Sequence, residues 1–306
     1  MSQLVIKPVS TRREKRDFLD FPWRLYQTDP HWIPPIRADE QKLLGFAGRH
    51  PFYEKNRVQA FLAVRDGQVC GRIAAILNQV HNEVRNEQRG FFGFFECVDD
   101  QEVANGLFDA ASQWLAAQGI HRLRGPANPG VNYVWGTLIE GFDSAPTFMM
   151  AYNPPYYERL IEGYGFRKAQ DLYAYWGDVE MLPAVIAKYG AVTDQIAERF
   201  KIRVRGLDTK RFKQDVRAFL DIYNRSMVSH WGFSPMSEEE LDAMARVLRY
   251  LLIPELVVGA EIDGRLVGII LALPDYNPRI KQIGGRLLPF GFLRLLWGKR
   301  KLKRIR

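Results

Sequence analysis

The sequence predicts an α/β fold that is built on a mixed sheet and arranged as two similar halves. A unit of one strand, two helices and a hairpin occurs twice along the chain. The continuous apolar run 90–98 is typical of a strand buried on both faces. Segment 153–176 combines an amphipathic helix with the alternation of a strand. These three patterns together favour helices packed on a sheet in each half.

The first half opens with a predicted strand, 4–9, and a predicted helix, 11–26, for which Ser10 or Thr11 is the N-cap. An irregular region with one short helix follows, at 29–55. Its apolar side chains are too many for a solvated loop, so we expect it to pack against the body. A flap that covers a substrate is the alternative.

The dipeptide Asp66-Gly67, between apolar strands at 59–65 and 69–78, predicts a β-hairpin because both central residues of such a turn need positive φ. The pattern returns 197 residues later at Asp263-Gly264. The same offset aligns further residues: Ala63 with Ala260, Gly71 with Gly268, Ile73 with Ile270 and Ala75 with Ala272. A chance match of two Asp-Gly hairpins is the alternative to duplication.

The elements before the two hairpins also agree. A strand at 202–206 and helices at 210–227 and 237–250 precede the second hairpin, as one strand and two helices precede the first. We therefore predict a duplicated unit.

The first half continues with a helix that starts at Asp99 or Asp100 and ends near 117, and then a short strand at 121–125. Pro154 and Pro155 suit the first turn of the next helix, and Gly165 suits its C-cap. The sequence then predicts a strand up to Trp176.

A helix at 183–200 bridges the halves. The predicted domains are 1–178, a bridging segment at 179–200, and 201–306, which holds only the N-terminal half of a second copy.

Composition excludes several classes of protein. The 306 residues are 47% apolar, enough for a buried core. Neither a signal peptide nor an apolar stretch of bilayer length is recognisable, so we expect a cytoplasmic protein. Cys70 and Cys97 lie in predicted strands and are expected to be reduced. Because no His or Cys cluster has ligand spacing, we expect no metal.

The net charge of +8 is confined to one segment. Residues 286–306 carry eight basic residues and no acid, which leaves 35 basic against 35 acidic residues in the rest of the chain. The body is therefore balanced, and nucleic acid is an unlikely partner. The apolar and basic stretch from Phe290 to Arg306 indicates either peripheral contact with a membrane or a connection to a further strand. The sequence gives no indication of oligomeric state.

Several motifs carry a family resemblance, namely DPHWIPP, GFFGFFECVDD, GPANPGVN and YNPPYYERL. Together with the helix, Gly-Phe corner and strand of 153–176, they resemble a bacterial family of two-domain proteins with the GNAT (Gcn5-related N-acetyltransferase) fold. This resemblance implies acetyl-CoA or another acyl-CoA as co-substrate and a small-molecule amine as acceptor. It also implies that the chain is a fragment or a truncated member, with its phosphate-binding turn expected beyond Arg306.

The resemblance places the phosphate-binding turn of the first half at 98–102. Asp99, Asp100 and Glu102 crowd this turn and would repel a pyrophosphate at short range. We therefore expect the first half not to hold CoA in the way usual for GNAT enzymes, and the sequence identifies no residues that bind the cofactor.

Glu96 and Tyr157 are the candidate catalytic residues. Glu96 lies near the end of the strand 90–98, where partial burial would raise its pKa and make it a base. A solvated or purely structural carboxylate is the alternative. Tyr157 could protonate a thiolate or orient a substrate, and it could equally be a core aromatic residue.

Asn128, Asn132 and Asn153 are the candidate substrate-binding residues, because amide groups beside a cleft both donate and accept hydrogen bonds. Simple turn chemistry is the alternative, since all three lie in Pro- and Gly-containing loops.

Three functions remain open from the sequence. The first is acyl transfer from acyl-CoA to an amine, which the family resemblance implies. The second is a non-catalytic module that binds a ligand or a protein. The third is aminoacyl transfer to a cell-wall precursor, since those transferases also pair two domains of this kind.

Overall fold

Two main sheets organise the chain, a mixed sheet in the first half and an antiparallel sheet in the second. The computed structural model describes residues 3–48, 50–130 and 132–306. In these residues the chain forms a five-stranded sheet in the first half, a three-stranded sheet in the second half and a small two-stranded sheet.

The first half contains most of the regular structure. Its elements are β1 (Leu4–Pro8), α1 (Arg12–Leu25), α2 (Arg37–Leu43), β2 (Arg57–Arg65), β3 (Gln68–Leu77), α3 (Gln79–Arg85), β4 (Gly90–Cys97), α4 (Gln101–Ala116), β5 (Leu123–Arg124), β6 (Ala127–Asn128), β7 (Val134–Trp135) and α5 (Tyr157–Gly163). The strand order is β1-β2-β3-β4-β5, antiparallel except for the parallel pair β4-β5. The predicted α/β class with a mixed sheet is confirmed.

The second half is smaller. Its elements are α6 (Leu182–Arg199), β8 (Arg203–Gly206), α7 (Phe212–Met227), α8 (Glu238–Leu251), β9 (Val257–Ile262), β10 (Arg265–Leu271), α9 (Asn277–Gln282) and α10 (Gly291–Leu296). The strand order β8-β9-β10 repeats the order β1-β2-β3, with antiparallel pairing throughout.

The two hairpins match down to an irregularity in their registers. In the first, Ala63 pairs with Gly71 and the register then shifts, which leaves Cys70 as the extra residue. In the second, Ala260 pairs with Gly268 and the register shifts in the same way. A β-bulge at corresponding positions of both hairpins is an unlikely coincidence of turn chemistry. The sequence repeat is therefore also a structural repeat.

The predicted starts of two helices are also confirmed. Thr11 caps α1, and its side chain and that of Glu14 bond each other's backbone amides as a capping box. Asp100 caps α4 by accepting bonds from two backbone amides. These caps fix where each helix leaves the sheet.

Helices cover both faces of the first sheet. One face packs on α4 and α5 through a cluster that includes Phe92, Phe95 and Phe108. The other face packs on α1 and the irregular region through Phe18, Leu44 and other buried side chains. The irregular region thus packs against the body, as expected. With both faces covered, side chains at the end of β4 are removed from water.

The predicted strand at 166–176 does not form, and this expectation was wrong. Segment 166–178 has no regular secondary structure, and Tyr175 is 93% exposed. An alternating sequence becomes a strand only beside a partner, and no described strand pairs with this segment. The preceding helix begins at Tyr157 rather than at Pro154.

Hydrogen bonds join the two halves. The Asn132 amide donates to the Ser234 carbonyl (3.0 Å) and accepts from the Tyr223 hydroxyl (3.1 Å). The Tyr133 hydroxyl donates to Glu240 (3.1 Å). Among the described residues, no helix is both long and apolar enough to cross a bilayer.

Candidate functional site

A bulge in β4 sets the direction of the Glu96 side chain. Gly93 pairs with Ala74 and Glu96 pairs with Arg72, so β4 carries one extra residue between these two pairs. Phe94 lies in this interval with a φ of 49°, a left-handed conformation that few side chains adopt. A bulge kinks a strand and re-aims the residues that follow it. The Glu96 side chain is 15% exposed at this kink.

The two carboxylate oxygens of Glu96 have different partners. Its Oε2 accepts hydrogen bonds from the hydroxyls of Tyr26 and Tyr157, both at 2.7 Å. Its Oε1 lies 3.8 Å from the Arg72 guanidinium, which is beyond hydrogen-bond distance. Among the described residues, no hydrogen bond reaches Oε1. One oxygen is therefore fixed, and the other is free to accept a proton.

Burial raises the pKa of Glu96 above that of an ordinary carboxylate, because water no longer solvates its charge. The Arg72 guanidinium and the hydroxyls of Tyr157 and Tyr26 oppose this rise by stabilising the charged form. A carboxylate with a raised pKa that still ionises is a better base near neutral pH than a solvated one.

Tyr157 lies at the first position of α5 and is fully buried. Its hydroxyl donates to Glu96 and accepts the backbone N–H of Cys97 at 2.8 Å. Burial raises the pKa of Tyr157 well above its usual value, so the hydroxyl stays protonated. The structure thus brings Glu96 and Tyr157 together, with the tyrosine proton already engaged by the carboxylate.

A buried ion pair between Arg72 and Glu40 lies next to Glu96. Arg72 donates to the Phe18 carbonyl and to Glu40 Oε1, both at 2.9 Å. The side chains of Arg72 and Glu40 are almost completely buried. A buried arginine shared by two carboxylates compensates part of their desolvation. Sequence reasoning missed Arg72 and Glu40, although an arginine inside the apolar strand β3 was a usable signal.

Aromatic rings surround Tyr26, whose hydroxyl bonds Glu96. The Trp32 ring stacks on Tyr26 with centroids 5.0 Å apart, and Trp23 meets Trp32 edge-on at 5.6 Å. The Tyr152 ring lies 6.2 Å from Tyr26. Such rings attract a cation through their π faces. Sequence reasoning also missed Tyr26, whose role depends on a contact across 70 residues.

The three candidate asparagines do not converge on Glu96. Asn128 accepts the backbone N–H of Phe94 at 2.5 Å and so satisfies the amide that the bulge frees. Asn153 is buried and bonds the backbone of Leu138. Asn132 joins the two halves. In each case the amide satisfies protein groups, through bonds that span 15 to 102 residues of sequence rather than a single turn.

Carboxylates occupy the N-terminus of α4. Asp100 Oδ1 accepts the backbone N–H groups of Glu102 (2.9 Å) and Val103 (3.2 Å). Arg65 pairs with Asp100 and Glu102, both at 2.6 Å, and Arg159 pairs with Asp99. The amides and nearby cations that an incoming phosphate needs are therefore engaged within the protein.

The part of the chain that the structure describes contains no cluster of three or more His, Cys, Asp or Glu side chains placed to hold a metal ion.

Two relatives align with nearly the whole chain. Protein YghO of Escherichia coli strain K12 is 34% identical over 298 residues, which cover 96% of this chain and 74% of that protein. The bacterial ceramide synthase of Caulobacter vibrioides is 35% identical over 301 residues, which cover 97% of this chain and 76% of that protein. No family model matches the sequence.

Three solved structures align with the chain at low sequence identity. A tandem GNAT protein from the clavulanic acid biosynthesis pathway aligns with 89% of this chain and 74% of its own, at 12% identity and a TM-score of 0.44. A glucosamine N-acetyltransferase region of a fungal β-N-acetylglucosaminidase aligns with 90% of this chain and 28% of its own, at 11% identity and a TM-score of 0.48. An aminoglycoside N-acetyltransferase in complex with CoA covers 58% of this chain and 96% of its own, at 14% identity and a TM-score of 0.35.

Proposed function

Because the chain belongs to the family of YghO and the Caulobacter bacterial ceramide synthase, we propose that it transfers an acyl group from an acyl thioester to the nitrogen of a long-chain amine. A ceramide is the fatty amide of a long-chain amino alcohol, so an amine of this class is the proposed acceptor. Acyl-CoA is the proposed donor. Glu96 is the proposed catalytic base.

The reaction needs a base because an amine is protonated near neutral pH and cannot attack a carbonyl. Oε1 of Glu96 accepts a proton from the ammonium group, and the nitrogen lone pair then attacks the thioester carbon. The C–N bond forms and the C–S bond breaks. The released thiolate takes the proton from protonated Glu96, which regenerates the carboxylate, and the second proton that the nitrogen loses as the amide forms passes to water.

The unequal oxygens of Glu96 are the observation that supports this proposal. Two tyrosine hydroxyls at 2.7 Å fix Oε2, while Oε1 remains unbonded among the described residues. Tyr26 bonds the carboxylate through its hydroxyl and carries the Trp32 ring stacked on it, and aromatic rings of this kind favour an approaching ammonium group. Fixed geometry, a raised pKa and an affinity for cations are what a base for amines requires.

We propose that the acyl donor is held away from the N-terminus of α4. Asp100 already bonds the amides there, and two further carboxylates surround the turn. The Coulomb repulsion of a pyrophosphate at this position would oppose binding. In this proposal, the first half handles the amine and another part of the protein holds the CoA.

Amide formation tests the proposal. The purified protein is incubated with a long-chain amino alcohol and a fatty acyl-CoA, and the amide is measured by mass spectrometry. We expect Glu96→Gln to lower the rate about 100-fold or more, the usual contribution of a general base. The matched control is Glu158→Gln, an exposed carboxylate on α5. Equal rates for the wild type and Glu96→Gln would contradict the role of Glu96.

A non-catalytic binding module is the second candidate, and the capped N-terminus of α4 is the observation that favours it. Titration calorimetry separates the two functions. Binding of the amine without any amide product, in the presence of acyl-CoA, would support a binding module and refute the proposed acyl transfer.

A further inference from the structure

The segment 286–306 presents apolar side chains and unpaired cations on one side of the molecule. Phe290 is 68% exposed and Trp297 is 82% exposed, with Leu293 half exposed between them. These residues follow the i, i+3, i+7 spacing of one helical face, around the short helix α10. Leu295 lies on the opposite side and is buried against Tyr276 and Ile280.

The segment is held firmly in this orientation. Arg279 donates to the carbonyls of Leu295 and Gly298, both at 2.8 Å. Lys299 donates to the carbonyls of Tyr250 (2.8 Å) and Leu252 (2.6 Å). Two backbone carbonyls of the segment are hydrogen-bonded to the body, and its inner face packs against the body. The exposed apolar residues are therefore held in a fixed arrangement.

The exposed cations of this segment have few partners. Arg300 pairs with Glu255, but among the described residues no ion pair involves the following side chains: Arg286, Arg294, Lys301, Lys303 and Arg304. The segment itself contains no acid. An exposed apolar ridge flanked by unpaired cations complements a surface that is apolar beneath and anionic above.

We propose that segment 286–306 docks on an anionic lipid surface, with Phe290, Leu293 and Trp297 inserted among the acyl chains. The cations then lie at the level of the headgroup phosphates. Helix α10 covers only Gly291–Leu296 and ends where Gly298 adopts a φ of 60°. The contact is therefore a rigid apolar ridge rather than a long amphipathic helix, which an extended helix from Phe290 to Arg306 would have provided.

The docking surface is connected to the candidate site by direct contacts. The backbone N–H of Arg37 donates to the Gly285 carbonyl at 3.0 Å. The indole of Trp23 donates to the Gly284 carbonyl at 3.3 Å and meets Trp32 edge-on. Trp32 in turn stacks on Tyr26, which bonds Glu96. The aromatic rings that connect to Glu96 thus begin beside the lipid-facing segment, and in this proposal a long-chain amine enters from the bilayer on this side. Only this statement about the substrate rests on the proposed function.

Vesicle flotation tests the docking, with no substrate present. We expect the full chain to float with vesicles of phosphatidylglycerol and phosphatidylcholine, and to bind vesicles of phosphatidylcholine about tenfold more weakly or worse. Added salt should weaken the binding to anionic vesicles. Binding to neither kind of vesicle, or to both equally, would overturn the proposal.

Three double variants locate the contact. Phe290→Ser with Trp297→Ser and, separately, Arg294→Glu with Lys301→Glu should each reduce binding to anionic vesicles about tenfold or more. The control is Tyr175→Ser with Trp176→Ser, which removes two equally exposed aromatic residues from a segment flanked by Asp171 and Asp178. The control variant should bind like the wild type. Loss of binding only in the control would refute the assignment.

Two other occupants would give different results. If a second copy of the chain covers this ridge, light scattering shows a dimer that Phe290→Ser with Trp297→Ser converts to a monomer. If a nucleic acid covers it, an oligonucleotide binds, and the charge variant abolishes that binding while the aromatic variant does not. Either result together with absent vesicle binding overturns the lipid proposal.

Amide formation in two media separates this inference from the proposed function. The aromatic double variant should lose activity towards an amine embedded in anionic vesicles and keep it towards the same amine in detergent micelles. No amide from the wild type in either medium would refute the acyl transfer and leave the flotation result standing.

Discussion

At the scale of residues, the site depends on the different contacts of the two Glu96 oxygens: Oε2 accepts two hydrogen bonds, and Oε1 accepts none from the described residues. Tyr26 and Tyr157 both donate to Oε2, yet they differ in their other contacts. Tyr157 also accepts the Cys97 amide within the core, whereas Tyr26 stacks on Trp32 at the approach to the site. Removal of either hydroxyl should therefore raise the pKa of Glu96. Removal of the Tyr157 hydroxyl should cost more folding stability than removal of the Tyr26 hydroxyl.

Tyr26→Phe should shift the acidic limb of the pH–rate profile to higher pH. The tyrosine hydroxyl stabilises the charged carboxylate and lowers the pKa of Glu96, so its removal raises that pKa. The base form of Glu96 is the deprotonated one, and more alkaline solution is then needed to populate it. The measurement is the amide-forming rate from acid to neutral pH.

Tyr157→Phe should cause the same shift and a larger loss of stability. It leaves the buried N–H of Cys97 without a partner, at a cost of about 1–3 kcal/mol. Thermal melting of both variants measures this difference. In a Glu96→Gln background, neither tyrosine substitution should move the pH profile, and a shift that persisted there would show that Glu96 is not the titrating group.

Residue types and spacing were sufficient to select Glu96 and Tyr157 as candidates, because a carboxylate at the end of a buried strand and a tyrosine at a helix start are local features. Arg72, Glu40 and Tyr26 required knowledge of which distant segments meet. Their contacts with one another and with Glu96 span 24 to 70 residues of sequence. No local pattern encodes such pairs.

At the scale of elements, the bulge in β4 is held open by the segment that follows β5. Asn128 accepts the Phe94 amide, and the Ala127 carbonyl lies directly over Gly93. A Cβ atom at position 93 would lie 1.7 Å from that carbonyl oxygen and 2.8 Å from Asn128 Oδ1. A glycine is therefore needed for close approach of the backbones.

Gly93→Ala should destabilise the protein by about 2 kcal/mol or more, because backbone rather than a flexible side chain occupies the space. The matched control is Gly268→Ala on β10, where the nearest heavy atom to the added Cβ lies 3.8 Å away. Its effect should stay within about 1 kcal/mol. Urea unfolding measures both, and equal losses of stability would show that the contact with Ala127 is not the cause.

Periodicity and capping signals predicted most helices and strands, including both hairpins and the N-cap of α1, but not α3, α9, β6 or β7. They failed for 166–176, where the alternation is present but no described strand pairs with it. Pairing is a property of two segments, so the pattern of one segment cannot establish it. The sequence also did not predict the bulges in the two hairpins. The extra residues, Cys70 and Val267, are of different types, so no shared residue marks the position.

At the scale of the whole molecule, the duplicated units dock through specific hydrogen bonds and through apolar contacts, in which Phe148 of the first half packs against Leu273 and Tyr276 of the second. The first half supplies Asn132 and Tyr133, and the second half supplies Tyr223, Ser234 and Glu240. Arg85 adds a bond to the Phe233 carbonyl at 2.7 Å. Polar interfaces of this kind fix the register of two bodies but contribute modest free energy per bond.

Asn132→Ala should loosen the docking while leaving each half folded. It removes the bond to the Ser234 carbonyl and the partner of the Tyr223 hydroxyl, a combined loss of about 2 kcal/mol. Hydrogen–deuterium exchange should therefore become faster in peptides that cover 228–240, whereas peptides from the hairpin β2–β3 should keep their wild-type protection.

Asn105→Ala is the control for this experiment. Among the residues that the structure describes, the Asn105 side chain bonds Gln101 alone, within α4. It should leave exchange at 228–240 unchanged. If Asn132→Ala also left that exchange unchanged, the two halves would be held by contacts other than these hydrogen bonds. If Asn132→Ala instead accelerated exchange in β2–β3, the two halves would unfold as a single cooperative unit. Loss of one bond at the interface would then destabilise the whole first sheet.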